Sequence, residues 1–139
     1  MKTMTLAAIA SAALALPALA QDIANGEKEF GKCTACHAII DDDGEVIKRG
    51  GRVGPNLYGI IGRPAGAVEG FRYSPALAAA GEQGLVWDIE NFDVYSQDTT
   101  AFLREYLGDS KARSLMTFKL RSGGDDIAAY IASLSDATE

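Results

Sequence analysis

Cys33-Thr34-Ala35-Cys36-His37 decides the reading of this chain. These five residues hold both of its cysteines and its one histidine. C-x-x-C-H is the pattern of a covalent c-type haem attachment. The two thiols can form thioethers with the haem vinyl groups. The adjacent imidazole is then held against one face of the iron. Two other readings of the same residues are a disulfide and a thioredoxin-like dithiol. No βαβ pattern surrounds the motif, and neither reading needs the histidine. A zinc site would have three local ligands and no second Cys/His pair.

The start of the chain gives its address. Lys2 precedes an apolar run from Leu6 to Leu19, broken only by Ser11 and Pro17. Ala18-Leu19-Ala20 then offers a small-x-small cleavage site before Gln21. Residues 1–20 therefore read as a secretory signal, with 21–139 as one mature domain. A retained anchor is the alternative. The run is short for a membrane-spanning helix, and no stop-transfer pattern follows it.

Removing residues 1–20 takes away only Lys2 and leaves 12 basic against 19 acidic side chains. A net charge of −7 from those side chains argues against general nucleic-acid binding. The charge is uneven. Residues 21–47 are acidic apart from Lys28 and Lys32, whereas 104–121 hold Arg104, Lys111, Arg113, Lys119 and Arg121. The basic region can steer docking to an acidic partner, or be an ordinary solvated face.

The mature chain reads as short helices joined by ordered loops. Asn25 can cap a first helix to about Lys32, with Glu27 and Glu29 in its first turn. Residues 41–56 read as loop, turned at Asp41-Asp42-Asp43-Gly44. The Asp triplet lacks the further spaced ligands of a cation-binding loop. Gly59, Gly62, Gly66 and Gly70 do not form a phosphate-binding G-x-G-x-x-G. Ser74-Pro75 opens a helix ending near Gly81. Another begins at Asp88, after Trp87, with Ile89, Phe92 and Tyr95 on one stripe. A further helix begins at Thr99 or Thr100, buries Phe102, Leu103, Tyr106 and Leu107, and ends at Gly108. The last starts near Asp125, with Ile127, Tyr130, Ile131 and Leu134 at helical spacing. So few short helices make a poor independent core, and a large apolar cofactor would complete it. The haem-free chain is accordingly expected to be poorly structured.

His37 is expected to bind iron through Nε2 while Nδ1 donates to an acceptor. For the sixth position no second histidine exists. Met1 and Met4 fall in the signal, which leaves Met116 as the mature thioether. A lysine ligand or an open position is the alternative. Sulfur opposite imidazole favours ferrous haem and raises the potential. Two filled axial positions point to outer-sphere electron transfer rather than an enzyme. A peroxidase or a gas sensor would require Met116 to leave, and no second histidine is present to serve as a distal base.

With these landmarks the chain closely resembles a class I cytochrome c, of the large bacterial cytochrome c2 type. The resemblance covers residues 22–134. It rests on Gly26, Phe30, the Cys33–His37 motif, Gly54-Pro55-Asn56-Leu57-Tyr58-Gly59, Gly62-Arg63, Phe71-Arg72-Tyr73, Trp87, Tyr95, Met116-Thr117-Phe118 and Tyr130. It implies an all-α fold of short helices and ordered loops around one covalent haem c. Gly26 would let the first helix pack closely on the last, with Phe30, Ile127 and Tyr130 at the crossing. Pro55 would supply the carbonyl that accepts from His37. Arg63, Tyr73 and Trp87 would lie near the haem propionates, Tyr95 near the Met116 sulfur, and Phe118 beside the haem edge. Ser114-Leu115 departs from the familiar Thr-Lys. Ser114 can keep a propionate hydrogen bond, but Leu115 loses a charge. The implied role is a periplasmic one-electron shuttle. Its donor would be a membrane cytochrome bc complex, and its acceptor a photosynthetic reaction centre or terminal oxidase. A monomer with transient docking is implied.

Overall fold

A computed structural model of the chain describes residues 21–136. The expected signal segment, with Met1 and Met4, lies outside the described residues. Five α-helices carry the fold: α1 (Ile23–Glu29), α2 (Pro75–Glu82), α3 (Ile89–Gln97), α4 (Thr99–Leu107) and α5 (Gly124–Asp136). A 3₁₀ turn, Phe30–Lys32, continues α1 toward Cys33. The expected all-α architecture is present, with one small addition. Residues 41–56 read as loop, but Val46–Lys48 within them form a strand, β2, which pairs antiparallel with β1 (Ile39–Ile40) in a short hairpin. Asp41 organises its turn: one carboxylate oxygen accepts from the amides of Asp43 (3.0 Å) and Glu45 (2.8 Å).

The cap of α1 differs from expectation. Asp22, not Asn25, is the N-cap, and its Oδ1 accepts from the Asn25 amide at 2.9 Å. Asn25 sits inside the helix and donates through Nδ2 to Asp126 Oδ2 at 2.7 Å. Asp126 Oδ1 accepts in turn from the Asp22 amide at 2.7 Å. Glu27 and Glu29 therefore lie past the first turn. Local sequence shows two good capping residues three apart. The choice between them is made by a partner on α5.

The other helix starts follow their capping chemistry. Ser74 Oγ accepts from the Leu77 amide at 3.1 Å, with Pro75 in the first turn. Asp88 and Asn91 close a reciprocal capping box. Asp98 caps α4 through the Ala101 amide at 3.0 Å. Gly108, at φ +62°, ends α4 in the left-handed conformation that glycine adopts without a Cβ penalty. Helix α2 runs one residue past Gly81. Tyr106, expected on the buried face of α4, is 39% exposed and stacks on Phe102 with ring centres 6.0 Å apart.

The centre of the fold is the crossing of α1 on α5, which also packs on α3. Gly26 makes the crossing close. A Cβ there would stand 2.0 Å from the Asp126 carbonyl oxygen. Phe30, Ile127 and Ile131 are fully buried beside it, and the rings of Phe30 and Tyr130 lie 6.1 Å apart. The apolar face of α5 thus matches its sequence period. Among the described residues no helix is long and apolar enough to cross a membrane.

Two outcomes follow. In Gly26→Ala the new methyl meets main chain that cannot rotate away, so the helices must part. Chemical denaturation of the haem-bearing protein should show a loss of about 1–3 kcal/mol; wild-type stability would contradict the close crossing. The Lys119 ammonium, hydrogen-bonded to Asp98, holds that carboxyl below its ordinary range, and the Ala101 amide adds to the effect. This contribution is present above the ordinary aspartate value and is lost as pH falls through the lowered one. Stability measured down the acid limb should therefore fall less steeply in Asp98→Asn than in wild type.

Candidate functional site

The 3₁₀ turn after α1 hands the chain directly to the motif. Cys33 and Cys36 are joined by a turn in which the Cys36 and His37 amides donate to the Cys33 carbonyl at 3.1 and 2.9 Å. The loop after β2 then wraps the motif. Its Gly51 amide donates to the Thr34 carbonyl and its Gly54 amide to the Cys36 carbonyl, each at 2.8 Å. Asn56 ties this loop to β1 through both ends of its amide, accepting from Ile40 N at 3.0 Å and donating to Ile40 O at 2.7 Å.

His37 is 8% exposed. Its Nδ1 lies 2.8 Å from the Pro55 carbonyl oxygen. A carbonyl only accepts, so Nδ1 carries the proton and Nε2 keeps its lone pair. Burial pushes the imidazole below its ordinary pKa, and the Pro55 hydrogen bond opposes this in part. The net result is the neutral ring that a metal needs. Gly54 presses on that ring: a Cβ there would come within 2.2 Å of His37 Cε1.

Cys33, Cys36 and His37 line one cavity of about 380 Å³, within the size range of cofactor pockets. Its wall includes Leu57, Ile60, Leu77 and Leu120 with the rings of Phe71, Trp87 and Tyr95. Met116 lines the same cavity, although it lies 79 residues further along the chain than His37. Burial pushes the Cys33 thiol up to about 11, against a smaller lowering by Lys32. A dithiol oxidoreductase needs the opposite shift, toward thiolate.

The remaining expected residues also gather here. Pro55, Arg63, Tyr73, Trp87, Tyr95, Ser114 and Phe118 all line the cavity. Arg63 is exposed. The Tyr73 hydroxyl accepts from the Val68 amide at 3.2 Å. Trp87 packs on Tyr95 with ring centres 4.8 Å apart. The Tyr95 hydroxyl lies 3.4 Å from Ser114 Oγ. Burial raises its pKa and the Ser114 contact lowers it. Ser114 Oγ also accepts from the Met116 amide at 3.1 Å. Tyr95 thus reaches the Met116 segment through Ser114. Gly26, Phe30, Ile127 and Tyr130 form the helix crossing, and of these Ile127 also touches the cavity.

Sequence reasoning missed Val53 in the lining and gave Arg72, named only within Phe71-Arg72-Tyr73, no role there. Val53 is 79% exposed, and Leu115 and Phe118 are 68% and 45% exposed. No periodic pattern marks Val53. Only its place beside Gly54-Pro55 pointed to the site.

The donor set fits a haem. An apolar cavity presents two thiols, an imidazole whose Nε2 keeps its lone pair and one thioether, with Arg63 and Arg72 in its lining to meet propionate charge.

No protein-family model matches the chain. It is 56% identical over 138 residues to cytochrome c-551 of Roseobacter denitrificans, spanning 98% of this chain and 99% of that one. Cytochrome c2 of Rhodobacter capsulatus is 48% identical over 132 residues, 95% of this chain and 96% of that one. A solved structure of cytochrome c2 from Rhodobacter capsulatus superimposes with a TM-score of 0.80 at 49% identity, covering 82% of this chain and 98% of that one.

The contact at Gly54 gives a direct test of the cavity wall. Gly54→Ala should displace the His37 ring and lower the ratio of haem to protein in purified material several-fold. Full haem loading with an unaltered spectrum would contradict the packing described.

Proposed function

We infer the function of this chain from its family: it belongs to the class I cytochromes c of the cytochrome c2 type. It is an electron carrier, not an enzyme, and it carries one covalently bound haem c. The haem supplies a one-electron Fe(III)/Fe(II) couple. The protein residues bind it, set its potential and keep substrate away from it.

In this reading Cys33 and Cys36 form the two thioethers, and His37 Nε2 and Met116 Sδ are the axial ligands. The observation that carries it is the hydrogen bond from His37 Nδ1 to Pro55 at 2.8 Å, in a cavity that Met116 also lines. It fixes the tautomer and aims the other nitrogen inward. With both positions held by side chains, no site is left for oxygen or peroxide. Arg63, Tyr73, Trp87 and Ser114 hold the propionates, Tyr95 tunes the Met116 side, and Phe118 covers the haem edge.

The same reading removes residues 1–20 on export and places the carrier in the periplasm as a monomer that docks transiently. It accepts electrons from a cytochrome bc complex and gives them to a photosynthetic reaction centre or terminal oxidase. Lys111, Arg113 and Arg121 supply positive charge for docking. Lys119 and Arg104 are already engaged, with Asp98 and with the Ala112 carbonyl.

Met116→Ala tests the ligand set. The variant should keep covalent haem, lose the thioether ligand field, bind carbon monoxide rapidly when reduced and fall in potential. An unchanged axial-ligand spectrum and potential would exclude Met116. Rapid carbon monoxide binding by the unmutated reduced protein would instead favour a gas-binding or peroxidase function.

A further inference from the structure

The segment that carries Met116, residues 109–123, has no helix or strand of its own. Its backbone must find partners elsewhere: the Asp109 amide and the Ala112 carbonyl bond to Arg104 on α4, and from Ser114 to Leu120 the partners lie at the junction of α3 and α4. The Leu120 amide donates to the Ser96 carbonyl at 2.8 Å. Lys119 Nζ donates to Asp98 Oδ2 at 2.5 Å. Thr99 Oγ1 donates to the Met116 carbonyl at 2.6 Å. The Ser114 amide donates to Thr100 Oγ1 at 3.2 Å. The order along the two segments is antiparallel, so side chains of three consecutive residues, 98 to 100, grip successive points of the strap.

These ties are unequal. Lys119 and Asp98 pair at the surface, where their side chains are 63% and 40% exposed, and such pairs contribute little. Thr99 is 3% exposed, where water does not readily replace a lost partner. It also bonds the residue that matters. The Met116 amide is satisfied within the strap, by Ser114 Oγ. Among the described hydrogen bonds, Thr99 is what fastens the Met116 backbone to a helix. Asp98 sets Thr99 in turn, because its cap on the Ala101 amide makes Thr99 the first residue of α4.

We infer that Thr99 is a positioning residue for Met116, its buried hydroxyl latching the strap to α4 and so setting how readily the sulfur leaves the sixth position. The inference rests on the ligand assignment above. It predicts a sixth ligand whose exchange rate is controlled by Thr99, a residue outside the cavity lining.

The test is the rate at which imidazole binds to the ferric, haem-bearing protein, since imidazole enters only when the strap releases Met116. Thr99→Val keeps the side-chain shape, removes the donor and leaves the Met116 carbonyl unpaired. Binding should be about five- to tenfold faster. Thr99→Ser, which restores the hydroxyl, should return it to the wild-type rate. Amide hydrogen exchange should show lost protection at Ser114, Met116 and Leu120 in the valine variant, with less change at the α1–α5 crossing. Should the valine variant fold poorly, Thr99→Ala removes the same donor with a smaller side chain and should quicken binding likewise. Wild-type imidazole kinetics and protection in Thr99→Val would overturn the latch. If the unmutated ferric protein lacks a thioether-to-iron band, the ligand assignment has failed and the inference falls with it. A band that is present beside an unmoved exchange rate fails the latch alone.

Discussion

The hydrogen bond between His37 Nδ1 and the Pro55 carbonyl is the constraint on which the rest of the site depends. Its worth as a stabilising contact is small, about 1 kcal/mol net. Its consequence is geometric. It selects the tautomer, tethers one ring nitrogen and leaves Nε2 with its lone pair. The surrounding structure exists to keep Pro55 where that bond can form. Gly51 and Gly54 bind the loop to the motif through their amides, and Asn56 binds it to β1. Gly54 can lie against the imidazole only because it has no side chain.

A second constraint runs through the opposite end of the sequence. Helix α5 crosses α1 at Gly26 and sends Asp126 to both Asp22 and Asn25. The crossing sets the exit of α1, hence the 3₁₀ turn, hence the position of Cys33. Stability and function thus share one chain of contacts, from α5 through α1 to the haem attachment residues. The strap that brings Met116 to the same cavity is held differently, by side chains at a helix junction. The rigid side of the site is built on glycines and backbone bonds; the side that can open is built on hydroxyls and one surface ion pair.

Much of this was legible in the sequence. The Cys33–His37 motif, the helix starts at Ser74, Asp88 and Thr99 or Thr100, and the period of α5 are local signals with local causes. The errors arose where a distant partner decides. Asn25 is as good a cap as Asp22 until Asp126 is placed beside both. Residues 41–56 read as loop because a hairpin of two and three residues is too short to show alternation. Tyr106 shares a stripe with Leu103, yet only packing decides which rings are covered. Thr99 looked like a helix start and nothing more, because its bond to Met116 spans a segment without periodic pattern. Each of these depends on residues far apart in the chain, which spacing alone does not relate.

The central claim is one haem held between His37 and Met116 that passes single electrons reversibly. An ultraviolet–visible redox titration of the purified protein tests it most directly, with attention to the weak long-wavelength ferric band of sulfur-ligated iron. The account predicts a reversible one-electron transition at positive potential, with that band present in the ferric state. A high-spin ferric spectrum without the band would contradict it.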